Sequence, residues 1–101
     1  MKIRTEQIGT TLVVKLSGEL DQSCAGIIRE QIDRELESTP IKNLILDFAD
    51  VSFMDSSGIG MILGRYKEVK LRGGKIMIIR IQPQVDRVLE LSGLKKIIEC
   101  G

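Results

Sequence analysis

Five consecutive residues, Leu44-Ile45-Leu46-Asp47-Phe48, are nearly all apolar, which suits a β-strand covered on both faces or nearly so. A polar stretch from Asp50 to Ser57 follows and is expected to form a loop. Ile59, Ile62, Leu63, Tyr66 and Val69 then trace one face of a helix. A covered strand that feeds a helix restricts the chain to an α/β arrangement, and the same alternation continues on both sides. Upstream, Lys2–Gln7 and Thr11–Ser17 read as a hairpin about Gly9-Thr10, closed by Gly18-Glu19-Leu20-Asp21. Ala25, Ile28, Ile32 and Leu36 then mark an amphipathic helix between Gln22 and Ser38, with Asp21 placed to cap it and Thr39-Pro40 placed to stop it. Downstream, Lys75–Ile81 reads as a strand. Pro83 suits the first turn of a third helix that Gly93 ends, and Ile97-Ile98 suits a short last strand. The expected architecture is α/β: a single domain with a mixed four- to five-stranded sheet and three main helices, too few to cover both sheet faces.

A chain of 101 residues supports one modest core. Its formal charge of +1 gives no reason to expect nucleic acid or an anionic membrane as partner. The basic run Lys67–Lys75 is interrupted and reads as a solvated helix end and turn. No segment approaches the roughly 20 apolar residues that cross a bilayer, so a cytoplasmic location is expected. Cys24 and Cys100 are far apart and read as two free thiols. Histidine is absent, which removes a Ser-His-Asp triad and a histidine metal site. No cofactor or metal is expected. A monomer is expected when the chain is free, because no long apolar edge is left over.

The chemistry concentrates in Asp55-Ser56-Ser57-Gly58-Ile59-Gly60, where a loop becomes a helix N-terminus. Backbone N–H groups without intrahelical partners collect there, and the helix dipole favours negative charge. Three nucleotide or hydrolase motifs fail on residue identity. The third glycine of a dinucleotide fingerprint would fall on Leu63. A P-loop lysine would fall on Arg65. The glycine that opens a nucleophile elbow would fall on Met54 or Asp55. The chain is therefore not expected to be an enzyme. Asp55, Ser56 or Ser57 can each be a simple cap. Alternatively, a serine here takes a phosphate, with the amides of Ser57, Gly58 and Ile59 free to receive it. Gly58 and Gly60 suit a helix start left smooth for a partner's backbone, and Gly64 suits close packing on the sheet. Asp21, at the other strand-to-helix junction, is expected beside Ser56 if the two strand ends lie on one sheet edge.

At these residues the sequence resembles the bacterial anti-sigma factor antagonists, which carry the STAS domain. The resemblance rests on Gly18-Glu19-Leu20-Asp21, on Phe53–Lys67 around Asp55-Ser56-Ser57-Gly58, on Gly73-Gly74 and on Leu91-Ser92-Gly93-Leu94, in order across nearly the whole chain. The Phe53–Gly58 and Leu63–Lys67 segments look most like the sporulation (forespore) branch, with the stress-response branch as the nearer rival. The resemblance implies a partner switch. The antagonist binds an anti-sigma factor that is also a serine kinase with a GHKL-type ATPase fold, and the sigma factor is released. The kinase then phosphorylates the first serine of the motif, which maps to Ser56. A PP2C-type, metal-dependent serine phosphatase reverses this. Asp21, Asp55, Ser57, Gly58, Ile59, Gly60 and Met61 would form the docking surface. Gln22-Ser23 departs from members with histidines after the Asp. The alternative is a STAS scaffold or sensory module without a phosphorylation cycle.

Overall fold

The computed structural model describes residues 1–38 and 40–101. β1 (Lys2–Ile8) and β2 (Thr11–Leu20) form the hairpin, and α1 (Ala25–Ser38), β3 (Asn43–Met54), α2 (Ser56–Leu71), β4 (Ile76–Ile79), α3 (Pro83–Ser92) and β5 (Glu99–Cys100) follow. The sheet has five strands in the order β1-β2-β3-β4-β5. Only the β1–β2 pair is antiparallel; β2 to β5 run parallel. This is the expected mixed α/β sheet. Gly9 turns the hairpin at φ +61°, and Gly93 ends α3 in the left-handed region at φ +83°, both accessible to glycine at little cost. Pro83 opens α3 as its spacing predicts.

The alternation along the strands decides where the core lies. Leu12, Val14 and Leu16 of β2, and Leu44, Leu46 and Phe48 of β3, are at most 1% exposed and share one core with all three helices. Ala25, Ile28, Ile32 and Leu36 form the buried stripe of α1, as their spacing predicts. The expected stop at Thr39 falls outside the described residues. The opposite sheet face carries Val13, Lys15, Ile45, Met77 and Ile79, all partly exposed. The Leu44–Phe48 segment is therefore covered fully on one face only, which corrects the two-sided expectation. Three helices leave this second face open, as anticipated. On it, Asp47 is nonetheless buried, because Arg80 lies across it: Nε donates to Oδ1 at 3.1 Å and Nη2 to Oδ2. That guanidinium holds the Asp47 carboxyl below the usual carboxylate range.

Among the boundaries that differ from the sequence reading, two share one cause. Gly18-Glu19-Leu20 is strand, not a closing turn, and Asp50–Met54 is strand, not loop. Each segment is polar or glycine-containing and looks irregular alone. Paired in parallel, they complete each other's ladder as far as Leu20 opposite Met54. The last strand forms at Glu99–Cys100 rather than Ile97-Ile98, because the N–H groups of Ile97 and Ile98 both donate to the Leu94 carbonyl, at 3.0 and 2.9 Å, and belong to the preceding turn. Within the basic run, Arg72 is not simply solvated. Its Nη1 donates to the carbonyls of Leu36 (2.6 Å) and Ile41 (3.3 Å), which ties α2 to the end of α1. Arg65, only 8% exposed, adds a second tie: its Nε lies 3.0 Å from Asp33 Oδ1 of α1. Cys24 and Cys100 are both free thiols.

Candidate functional site

Parallel pairing fixes the site. Because β2 and β3 run side by side to Leu20 and Met54, the residues that follow them share one sheet edge. The Asp55 N–H donates to the Leu20 carbonyl at 3.3 Å, joining the residue before Asp21 to the residue before Ser56. The expected neighbourhood of the two strand-to-helix junctions is therefore present.

The question of which residue caps α2 has a definite answer. Asp55 is the N-cap, in an extended conformation, and its Oδ1 accepts the Ser57 N–H at 2.8 Å. Its carbonyl accepts the Gly58 N–H at 3.1 Å and the Ile59 N–H at 3.3 Å. This corrects the expectation that the amides of Ser57, Gly58 and Ile59 are free for a phosphate: Asp55 occupies all three. It also releases Ser56 from any capping duty. Ser56 is exposed in the first helical position, and its hydroxyl has no hydrogen-bond partner among the described residues. Ser57, one residue on, is half-buried.

Asp21 is organised in the same way. Its Oδ1 accepts from the backbone N–H (2.9 Å) and the hydroxyl (2.5 Å) of Ser23, and these bonds hold its carboxyl below the usual range. Its carbonyl accepts from Cys24 and Ala25, so the residues before α1 form a capped turn and the helix begins later than its periodicity suggests. Ser56 thus stands on an edge that carries two carboxyl side chains, Asp21 and Asp55.

The remaining site residues separate by burial. Ile59 is half-buried against the core, and Gly60 is exposed with open space where a Cβ would sit. Met61 is 5% exposed and turned into the core, so its side chain is not presented to a partner; this corrects its place in the docking surface. Gly58 is buried as well. A Cβ there would meet Met54 Cγ at 2.5 Å and Leu20 Cγ at 3.1 Å, so its smoothness serves the seating of α2 on the strand ends. Gly64 has nothing within 4 Å of its Cβ position, so the expected close packing on the sheet is absent. Two exposed apolar side chains belong to the same pair of junctions: Phe53 of β3, 48% exposed, and Ile27 in the first turn of α1, 62% exposed.

The STAS domain family matches residues 2–101. The chain is similar to an anti-sigma F factor antagonist of Paenibacillus polymyxa, 39% identical over 98 residues that cover 97% of this chain and 84% of the relative. Among solved structures it is similar to the anti-sigma factor antagonist SpoIIAA in its unphosphorylated form. That match has a TM-score of 0.78 and 28% identity, over 99% of this chain and 87% of the other. It is equally similar to the phosphorylated form of the Bacillus cell fate determinant SpoIIAA. There the TM-score is 0.77 and the identity 31%, over 99% of this chain and 91% of the other.

Proposed function

We propose a phosphorylation-controlled partner switch on one premise: the chain belongs to the STAS domain family, among its anti-sigma factor antagonists. In this reading the unphosphorylated chain docks on an anti-sigma factor that is also a serine kinase of the GHKL-type ATPase fold, and the sigma factor is released. Asp21, Asp55, Ser57 and the exposed backbone at Gly60 form the docking surface around Ser56. The kinase then transfers a phosphoryl group from ATP. A bond forms between Ser56 Oγ and the γ-phosphorus, the bond to the β-phosphate oxygen breaks, ADP leaves, and the hydroxyl proton passes to a base on the kinase. A PP2C-type phosphatase hydrolyses the phosphoester and restores the serine. The chain itself is a substrate and not an enzyme. The reading places the domain in the cytoplasm, and no helix among its described residues is long and apolar enough to cross a membrane.

One observation carries the assignment to Ser56: it is an exposed N-terminal helix serine whose hydroxyl is not used in capping, because Asp55 does that work. The electrostatics supply the off-switch. A phosphoserine adds about −1.5 to −2 charges at neutral pH. The first-turn amides of Ser57, Gly58 and Ile59 are held by Asp55, and the edge already carries the Asp21 and Asp55 carboxylates. The charge therefore faces the docked partner, where burying it unpaired costs several kcal/mol. The fold has no need to change, in keeping with the near-equal similarity to the two forms of SpoIIAA.

The test is displacement. A preformed complex of the cognate kinase with its sigma factor is mixed with this protein and followed by size-exclusion chromatography. Stoichiometric release of sigma factor is expected without ATP hydrolysis, followed by loss of the antagonist–kinase complex once Mg-ATP is added. A complex that persists in ATP would favour a STAS scaffold without a phosphorylation cycle.

A further inference from the structure

β4 pairs with β3 only from Leu44 to Asp47, whereas β3 continues to Met54 and leads through Asp55 to Ser56, the first residue of α2. On one side this overhang is paired with β2; on the other there is no strand. The pairing with β2 is also irregular. Lys15 opposes Asp47 but Ser17 opposes Asp50, and Gly18 opposes Val51 but Glu19 opposes Phe53. β3 therefore holds an extra residue in each interval, two bulges between Asp47 and Phe53. A bulge leaves backbone groups outside the ladder and re-aims the chain beyond it.

Side chains from the segment after β4 meet both irregular intervals. Gln82 Nε2 donates to the Ala49 carbonyl at 2.9 Å, in the first interval. Gln84 Nε2 donates to the Ser52 carbonyl at 3.2 Å, in the second, and to Gln82 Oε1 at 2.7 Å. The Ala49 N–H is taken by Asp47 Oδ1 at 3.1 Å, and Asp47 is held in turn by Arg80. Arg80, Gln82 and Gln84 thus replace the missing strand. Arg80 adopts a left-handed backbone, φ +56°, uncommon outside glycine, at the point where the chain leaves β4 toward these contacts.

We infer that Gln82 and Gln84 are positioning residues for Ser56: they hold the two bulges of the β3 overhang and so set the aim of the serine toward the kinase. The role rests on the phosphorylation reading above. It predicts a specific kinetic pattern. If the fold were merely weakened, fewer molecules would be competent, and apparent KM would rise at unchanged kcat. If the serine is misaimed within a docked complex, kcat falls at nearly unchanged KM.

The experiment uses the double variant Gln82→Met/Gln84→Met, which keeps side-chain length and removes both donors. Gln84→Met alone, at an exposed position, serves if the double variant does not fold. Hydrogen exchange of residues 49–54 in the isolated protein is expected to accelerate about tenfold, with α1 and β2 unchanged. Phosphorylation of Ser56 by the cognate kinase and Mg-ATP is expected to lose about tenfold in kcat, with KM within about twofold. Wild-type exchange in residues 49–54, unchanged kcat, or a loss expressed wholly in KM would each overturn the role. Absence of phosphate on Ser56 in the wild type would overturn the phosphorylation reading and this role with it, and the exchange data would still report whether the glutamines hold the bulges.

Discussion

Ser56→Asp is expected to weaken binding to the anti-sigma kinase by about a hundredfold or more while the melting temperature moves by no more than about 2 °C. Two opposite consequences of one charge lie behind this. In the free protein the new carboxylate is exposed in the first turn of α2, where the helix dipole favours it by roughly 0.3–1 kcal/mol and the neighbouring Asp55 opposes it. These nearly cancel. In the complex the same carboxylate is desolvated beside Asp21 and Asp55, and the amides of Ser57, Gly58 and Ile59 already donate to Asp55. An unpaired buried charge costs several kcal/mol, and each ~1.4 kcal/mol is a tenfold change in affinity. Titration calorimetry measures the affinity and a thermal melt measures the fold. Part of the loss is expected to return at high salt, where like-charge repulsion is screened. Equal affinity of wild type and variant would remove repulsion as the release mechanism. Ser56→Ala is the complementary variant: it binds, and ATP does not turn its complex over.

The second large effect concerns stability and lies at the far end of α2. Gly74→Ala is expected to destabilise the fold by about 3 kcal/mol or more, a large share of the 5–15 kcal/mol typical of a domain. Helix α2 ends with the Gly73 N–H on the Lys70 carbonyl (3.0 Å) and the Gly74 N–H on the Val69 carbonyl (2.9 Å), the Schellman pattern, with Gly73 at φ +72°. Gly74 is then pressed against the peptide that enters β3. An added Cβ would lie 1.6 Å from the Lys42 carbonyl oxygen and 2.6 Å from its carbon. The obstacle is backbone on both sides, so no rotamer relieves it. Gly60→Ala is the control. Its Cβ meets nothing within 4 Å, and replacing a helical glycine by alanine is expected to stabilise by up to about 1 kcal/mol. Urea unfolding of the two variants measures the contrast. Equal midpoints would show that close approach at Gly74 does not constrain the fold.

What the sequence conveyed well was periodic or chemically pointed. The stripe Ala25, Ile28, Ile32 and Leu36, the proline at the start of α3, Gly93 after it and the strand-to-helix placement of Ser56 all lie where local rules put them. What it concealed depends on pairing across distance. Gly18–Leu20 and Asp50–Met54 lack a strand pattern and become strands only opposite each other. Asp55, Ser56 and Ser57 were equivalent as caps until the backbone fixed Asp55 in that role. Met61 looked like part of a surface run, but it lies on the core side of α2. Arg65, Arg72, Arg80, Gln82 and Gln84 carried no local signal, since each acts on a carbonyl or carboxylate more than 30 positions away. The bulges in β3 have the same character: an extra residue is invisible until the register of the partner strand is known.

The measurement that bears most directly on the account is phosphosite mapping. The protein is incubated with the cognate anti-sigma kinase and Mg-ATP, its intact mass is recorded, and the tryptic peptide Asn43–Arg65 is fragmented to separate Ser52, Ser56 and Ser57. The account predicts a single added phosphate, located on Ser56. Phosphate on Ser57 or Ser52 instead, or none while the kinase modifies another antagonist, would contradict it.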